Sequence, residues 1–557
     1  MCGIAGIFDT TKCDNKRLVK RMLRTMKHRG PDGWAYKHND FVSLGLVRLS
    51  MNSIKTPTHV HANTKNDIFC VFNGEIYNHL DLRKKLGLNT VSGKKYNDAD
   101  IIIPMYEKYG KDFVKYLDGM FSIAIMDKDK LLLFSDKFGI KPIYYSFLSN
   151  GNFVFSSELK AILSITKKHR ISAKGLSSFL QYRFVAHPLT IFEDIFKFGP
   201  CQILEITQNG IKKYNYKIIC SPTKTLSKWA KSIVNYDSSE VKIGAFLSGG
   251  LDSSILCSLF GDKKHVFTIK YDNNQGINET DFAECVAHKN NLIHHIVNAN
   301  KRIVKMNLDK AIISLEEPLY STVALSTYLL AKSAKKYVKG IISGDGADEM
   351  FIGYNYIRTA MNNVGSELQT YKQQISWLPR DTQKRLFNRK PKNLNLIKTS
   401  DNPLQTIADF ERKYRLPDYH LFRLDKMTMA NSIEGRVPYL SQDIINFVYK
   451  LPLNKLYTNP PKQKLVNAFH KILPAEILNR KKQPFTAPFI DWIDGCLHKD
   501  ILRIFNNKQL CRLFGISHHE LLKLINKPSK EYSDYTSIWG VYMLLKWAQK
   551  YKKHILF

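Results

Sequence analysis

Around residue 241 the rhythm of this chain changes. The apolar run 241–247 is followed by a glycine-rich turn and then by a helical pattern from about Asp252. Further apolar runs at 265–271, 292–298 and 340–343 alternate with helical stretches such as 279–289. Short, continuously apolar strands separated by helices require a parallel sheet covered on both faces. From about residue 363 the pattern is mostly helical. Residues 1 to about 210 read differently, with short strands at 3–8, 41–50, 68–72, 120–126, 131–135 and 153–156 and few helices, at 15–26, 79–85 and 99–108. Neighbouring strands with helices outside them imply a layered sheet domain. A polar, irregular stretch at 216–240 lies between the two regimes. The expected division is 1–210, a linker at 211–240, and 241–557.

A length of 557 residues supports two or three domains. Hydrophobic residues make up 44%, which excludes a disordered chain. No apolar run is long enough to span a bilayer. The opening Met1-Cys2-Gly3-Ile4-Ala5 lacks the basic and long apolar regions of a signal peptide, so a cytoplasmic enzyme is expected. Nine cysteines contain no C-x-x-C pair, which suggests neither a disulfide framework nor a zinc site. The formal charge of +35 raises the question of nucleic acid. Its lysines run along the whole chain rather than gathering in one arm, so a solvated basic surface is the preferred reading. Such a surface also attracts anionic ATP at long range.

Cys2 stands out by position. If Met1 is removed, Cys2 carries a free α-amino group beside its own thiol. That amine titrates at about 7.7–8.0 and can accept the thiol proton near neutral pH. An N-terminal cysteine thus brings its own base to nucleophilic attack. Taken alone, Cys2 is equally a small residue near a terminus.

Other stretches decide between these readings. Cys2-Gly3-Ile4-Ala5-Gly6, Arg29-Gly30-Pro31-Asp32, Arg48-Leu49-Ser50 and Phe72-Asn73-Gly74-Glu75-Ile76-Tyr77-Asn78 together resemble the class II, N-terminal-nucleophile glutamine amidotransferases. The resemblance covers about the first 200 residues and implies a four-layer αββα fold. It implies Cys2 as nucleophile, with the Asn73 amide and Gly74 N–H as the oxyanion hole. It places Arg48 on the glutamine α-carboxylate, Glu75 and Asp98 on the α-ammonium, and Leu49, Ser50, Met51 and Asn52 along the same pocket. Singly, Asn73-Gly74 also reads as a hairpin turn and Asp98 as a helix cap. The family often has histidine where this chain has Leu46, but the arginine two residues on is kept.

In the second region, Leu247-Ser248-Gly249-Gly250-Leu251-Asp252-Ser253 joins a strand to a helix. Glycines there let the backbone approach phosphate oxygens at a helix N-terminus. The full pattern resembles the pyrophosphate loop of enzymes that split ATP into AMP and pyrophosphate, and it lacks the Lys-Ser/Thr ending of a Walker loop. Ile341-Ile342-Ser343-Gly344-Asp345-Gly346-Ala347-Asp348-Glu349, Leu424-Asp425-Lys426-Met427, Ser432-Ile433-Glu434-Gly435-Arg436-Val437-Pro438-Tyr439 and Pro461-Lys462-Gln463-Lys464-Leu465 resemble blocks of the glutamine-hydrolysing asparagine synthetases. The same resemblance takes in Arg480-Lys481-Lys482 and, in the first region, Ser135-Asp136-Lys137-Phe138-Gly139.

This family resemblance implies an α/β ATP-pyrophosphatase domain with a helical C-terminal part. It places ATP against Leu247, Ser248, Gly249, Gly250, Asp252, Ser253, Ile269, Ser343 and Gly344, with Mg²⁺ on Asp252 and Asp348. Asp345 is tied to forming an acyl-adenylate, although some members have glutamate there. Lys462 stabilises charge as adenylate and amide form, with Lys464 a close alternative, and Val466 replaces a family arginine. The implied substrates are glutamine, aspartate and ATP. The implied chemistry is ammonia release at Cys2 and amide synthesis on an AMP-activated carboxylate, with an apolar passage joining the sites. Homodimers are usual among the bacterial-type relatives, which leaves a homodimer open here. A related synthetase acting on another acid is the alternative reading, and the unusual segment Glu316-Glu317-Pro318-Leu319-Tyr320-Ser321-Thr322 is where altered acceptor choice is expected. A basic nucleic-acid-binding protein on a degenerate scaffold is the non-enzyme alternative, and intact Cys2, Asp252 and Asp348 count against it.

Overall fold

The structure is a computed structural model that describes residues 2–11, 13–88, 96–221, 225–272, 278–388, 392–398, 401–483 and 485–556. Met1 lies outside the described residues, and the expectation about its removal falls there.

The first half contains two six-stranded antiparallel sheets. In one, Cys2–Phe8 lies between Val42–Arg48 and Phe153–Ser156, with Cys2 opposite Arg48 and Phe8 opposite Val42. In the other, Ile68–Ile76 lies beside Gly119–Asp127, with Asn73 opposite Ser122. The period-2 alternation sorts side chains between faces. Ile4, Leu44 and Leu46 meet Val71, Ala124 and Leu133 in a core between the sheets. Ala5, Ile7 and Val47 point the other way, onto Val19, Met22 and Leu23 of the helix Lys16–Thr25. The far face of the second sheet is covered by Ile102, Ile103 and Met105 of the helix Ile102–Tyr109. The result is the αββα layering that the resemblance implied.

Two sequence expectations differ from the structure. The strand expected at 68–72 runs on to Ile76, because Asn73-Gly74 stays paired across the sheet instead of turning. A Cβ on Gly74 would lie 2.0 Å from the Met120 carbonyl oxygen, so the glycine serves close strand approach. The antiparallel sheet also extends past residue 210, through a last strand at Gly210–Asn215, and the expected linker contains the helix Leu226–Ser232.

The second half is built on a five-stranded sheet in which every neighbouring pair is parallel. Its central strand Ile243–Phe246 lies between His265–Tyr271 and Gly340–Ile342. Glu434–Arg436 forms the edge beside Gly340–Ile342. Beyond it every named element among the described residues is a helix, the longest being Tyr532–Tyr551, along which 15 residues are buried. Among the described residues no helix is long and apolar enough to cross a membrane.

Candidate functional sites

Cys2 begins its strand at the rim of a cavity lined by Arg48, Asn52, Gly74, Glu75 and Asp98. Strand pairing puts them there: Arg48 is the register partner of Cys2, while Gly74 and Glu75 come from the facing sheet. The Cys2 N–H donates to Asn73 Oδ1 at 3.0 Å. That bond fixes the Asn73 amide so that its Nδ2 is a donor, 3.4 Å from Ser122 Oγ. Burial pushes the Cys2 thiol up, against the opposing field of Arg48. A thiol so placed needs a base to ionise.

The Arg48 guanidinium donates to the carbonyls of Thr56, Asn52 and Ser53 at 2.6, 2.9 and 3.0 Å, so it holds a loop as well as lining the cavity. Asn52 Nδ2 reaches Glu75 Oε1 at 3.2 Å. The Ser50 N–H is held by Asp32, and Leu49 and Met51 are buried beneath. Asp98 accepts the Ile76 N–H at 2.9 Å. Burial, together with the neighbouring Asp98, raises Glu75 to about 8. Burial raises Asp98 to about 6, against the Ile76 N–H that it accepts.

The second constellation lies at the carboxyl ends of the parallel strands, where open α/β sheets form their crevice. Leu247 leaves the central strand, its carbonyl held by Thr268 Oγ1, and Ile269 lies beside it on the adjoining strand. Gly249 has φ +68°, and a Cβ there would sit 2.5 Å from the Phe282 Cβ. Only glycine fits both demands. Ser248 and Ser253 share a hydroxyl contact at 3.1 Å that braces the turn, and Gly250 precedes the helix Leu251–Leu259. Gly344 packs against Asp252, where its Cβ would lie 3.3 Å from the Asp252 Cβ, so the two loops meet.

Between those loops Lys462 Nζ bridges Asp252 Oδ2 at 2.5 Å and Asp348 Oδ1 at 2.7 Å. Lys482 also pairs with Asp348. Burial would neutralise all these groups, but the two lysines prevail at Asp348 and hold it well below the usual carboxylate range. At Asp252 burial prevails over Lys462 and the carboxyl is raised. The pair of aspartates raises Lys462 despite its burial. Lys462 adopts φ +60°, an uncommon conformation for a side chain this size and one that marks functional sites. Asp252 Oδ1 is buried with no hydrogen-bond partner. Asp345 receives Ser343 Oγ at 2.6 Å on one oxygen and Arg423 Nη2 at 2.7 Å on the other.

Several of these residues had no role assigned from sequence. Arg423 is one more cation in a basic chain, with no spacing that singles it out, whereas Lys482 lies in the stretch Arg480-Lys481-Lys482 that the resemblance took in. Glu316 and Glu317, in the segment expected to shape acceptor choice, have their carboxylates engaged within the protein. Glu316 takes Lys426 at 2.5 Å and the Leu159 N–H, and Glu317 takes Lys197 at 3.0 Å and the Ile191 N–H. Their carboxylates tie the second half to the first.

Comparison with known proteins matches residues 231–549 to the family described as asparagine synthase and residues 1–217 to the glutamine amidotransferase domain. Among relatives, the glutamine-hydrolyzing asparagine synthetase 1 of Bacillus subtilis (strain 168) is 28% identical, over 98% of this chain and 96% of its own. The glutamine-hydrolyzing asparagine synthetase 3 of the same organism is 29% identical over 87% of each. That of Zea mays is 26% identical over 89% of this chain and 79% of its own. A solved glutamine phosphoribosylpyrophosphate amidotransferase from B. subtilis aligns over 53% of this chain and 66% of its own, at 14% identity and a TM-score of 0.30, too distant to bear on function. A match over more than half the chain, in the order glutaminase then synthetase, establishes that this protein belongs to the asparagine synthase family, in its glutamine-hydrolysing form.

Proposed function

We propose that the chain makes L-asparagine from L-aspartate with nitrogen from glutamine, through a β-aspartyl-AMP intermediate. The observation that carries this reading is the pairing of two separate sites. One is a half-buried cysteine whose own N–H is held by the Asn73 amide oxygen, and the other a lysine-bridged aspartate pair at a phosphate-type loop.

At the first site Cys2 Sγ attacks the glutamine side-chain amide. The Cys2 amine, freed by loss of Met1 and held by Asn73 Oδ1, takes the thiol proton and passes it to the departing ammonia. Asn73 Nδ2 and the Gly74 N–H receive the oxyanion. Water then clears the thioester to give glutamate. Arg48 orients the α-carboxylate, and Glu75 and Asp98 take the α-ammonium.

At the second site the β-carboxylate of aspartate attacks the α-phosphorus of ATP and releases pyrophosphate. Ammonia displaces AMP from the mixed anhydride to give asparagine. The turn Ser248–Gly250 and the helix it opens receive the phosphates through backbone N–H groups. Lys462 and Lys482 offset the charge that builds up there, while Asp345 sits fixed by Ser343 and Arg423 next to the reacting carboxylate. The donor set suits Mg²⁺: two hard carboxylates, one with a buried unpartnered oxygen, beside a phosphate loop. Asp252 and Asp348 would hold it, and it would supply Lewis-acid neutralisation of the phosphates. Ammonia must stay unprotonated in transit, which favours an enclosed apolar path between the sites. Full competition of external ¹⁵N-ammonium with glutamine nitrogen would refute that path.

The deciding assay supplies Mg-ATP, glutamine and a panel of carboxylic acids, and measures AMP, pyrophosphate and amide. Asparagine formation with aspartate is expected. AMP formation with another acid and not with aspartate would reassign the acceptor. Cys2→Ala should abolish glutamine-dependent synthesis and leave ammonia-dependent synthesis in place.

A further inference from the structure

Every residue that lines the cavity at Cys2 comes from the first half, but one wall is backed by the second. Next to the buried Glu75–Asp98 pair stands Arg436, from the edge strand Glu434–Arg436 of the parallel sheet, with Nη2 3.3 Å from Glu75 Oε2. Arg436 is fully buried. Its guanidinium is fixed by Glu434 Oε1 at 2.6 Å, the Tyr236 carbonyl at 2.6 Å and Ser239 Oγ at 2.9 Å. Its main chain continues into the other site. The Arg436 carbonyl accepts the Ser343 N–H at 2.9 Å, and Ser343 holds Asp345.

A second contact comes from the segment that joins the halves. Glu240 is exposed, yet its carboxylate accepts the N–H groups of Ser53 and Ile54 at 3.0 and 3.2 Å. Its own N–H donates to the Met51 carbonyl at 3.1 Å. This is the loop whose carbonyls Arg48 holds from the cavity side. The loop is therefore gripped on both sides, and its Asn52 runs on to Glu75.

We propose that Arg436 and Glu240 are positioning residues for glutamine, supplied to the first half by the second half and the connecting segment. Arg436 fixes the Glu75 carboxylate for the α-ammonium, and Glu240 fixes the loop that aims Arg48 at the α-carboxylate. This rests on the reading of the Cys2 cavity as the glutamine pocket. Two buried carboxylates side by side disfavour each other's charge, and a rigid guanidinium opposes that. A loop tied by backbone hydrogen bonds on both sides spends less freedom when it closes on a ligand.

The test uses full-length Glu240→Ala and Arg436→Lys. Glutamate release is followed against glutamine concentration, and ammonia-dependent asparagine synthesis is measured in the same preparations. KM for glutamine should rise about tenfold or more in Arg436→Lys, which keeps the charge and loses the fork. It should rise several-fold in Glu240→Ala, with the kcat of ammonia-dependent synthesis unchanged within about twofold in both. Glu240 is exposed, so its variant carries the test even where Arg436→Lys fails to fold. An unchanged KM in Glu240→Ala, or equal loss of both activities in a folded Arg436→Lys, overturns the proposal. Failure of the underlying reading looks different: the unaltered enzyme itself would release no glutamate, or Cys2→Ala would release as much.

Discussion

At the scale of single residues, the synthetase site depends on the absence of one carbon atom. A Cβ on Gly353 would lie 2.0 Å from Asp348 Oδ1 and 2.1 Å from Lys462 Cε. Both obstacles are side-chain atoms, so Gly353→Ala should fold while prising the lysine from the aspartate. Displacement of about 1 Å in such a constellation costs on the order of 100-fold in rate. Ammonia-dependent synthesis in Gly353→Ala should fall by about that factor, with glutamate release from glutamine unchanged; equal loss of both would point to misfolding instead. The glutamine pocket offers a second residue-scale expectation, this one in pH. Burial and Asp98 raise Glu75 to about 8, Glu434 adds to the rise and Arg436 opposes it. An α-ammonium binds the ionised form, so affinity should strengthen as pH rises through about 8, until the ligand's own amine deprotonates. For stability the sign is reversed: a carboxyl raised in the fold contributes below its unfolded value of about 4.3 and loses that contribution as pH rises through about 8. Calorimetric titration of glutamine into Cys2→Ala between pH 6.5 and 8.5 reads the binding term without turnover, and adding Glu75→Gln should flatten the profile.

At the scale of elements, one helix does two jobs. The helix Phe422–Met429 follows a π-helical stretch, Glu411–Leu421, without a break. π-Turns re-aim the side chains that follow them and occur preferentially at functional sites. Here Arg423 turns to Asp345 of the synthetase site, while Asp425 takes the Arg29 guanidinium at 2.8 and 3.1 Å. Arg29 in turn donates from Nε to the Cys2 carbonyl at 3.3 Å. Much of this was legible in the sequence, but only in part for a reason that can be stated. The strand–turn–helix around Ser248–Gly250 follows from local pattern, since the positive φ that asks for glycine at Gly249 belongs to the turn itself, although the close approach of Phe282 does not. The alternation that separates Ile4 from Ala5 is equally local. The strand through Asn73–Ile76 was not, because Asn-Gly favours a turn locally and the decision is made by Gly119–Ser122 across the sheet. The Arg29–Asp425 pair is separated by 396 residues and Arg436–Tyr236 by 200, so neither periodicity nor spacing could join them. Arg29, Asp425 and Arg436 each lie within a motif that the sequence shows, but which of them pairs with which is written only in the fold.

At the scale of the whole molecule, the two halves behave as one body because their contact is a core. A single apolar cluster runs from Ala5 and Val19, on the outer face of the first sheet, through Ile243 and Tyr328 to Tyr551 and Ile555 at the chain's end. Set into that seam is a chain of buried charges. Arg29 pairs with Asp425 and Glu158, Lys141 lies 3.5 Å from Asp425, and Lys426 and Lys160 both reach Glu316. Removing one member of a buried ion network costs about 3–5 kcal/mol, because its partners are left charged and dry. Asp425→Asn should therefore destabilise the protein by about that amount. Burial opposes ionisation of Asp425, but Arg29 and Lys141 prevail and hold its carboxyl below the ordinary range. Its contribution is then fully present above the unfolded value of about 3.9 and is lost as pH falls through the lower folded value. The deficit of the variant should be constant from pH 5 to 8 and shrink only in stronger acid. A continuous core further requires that both halves unfold together. Calorimetry of the unaltered protein should show one transition, and in Asp425→Asn glutaminase and synthetase activities should be lost at the same, lower temperature. Two resolved transitions, or a variant that loses one activity well before the other, would mean that the seam is a docking contact between independent domains rather than part of a common core.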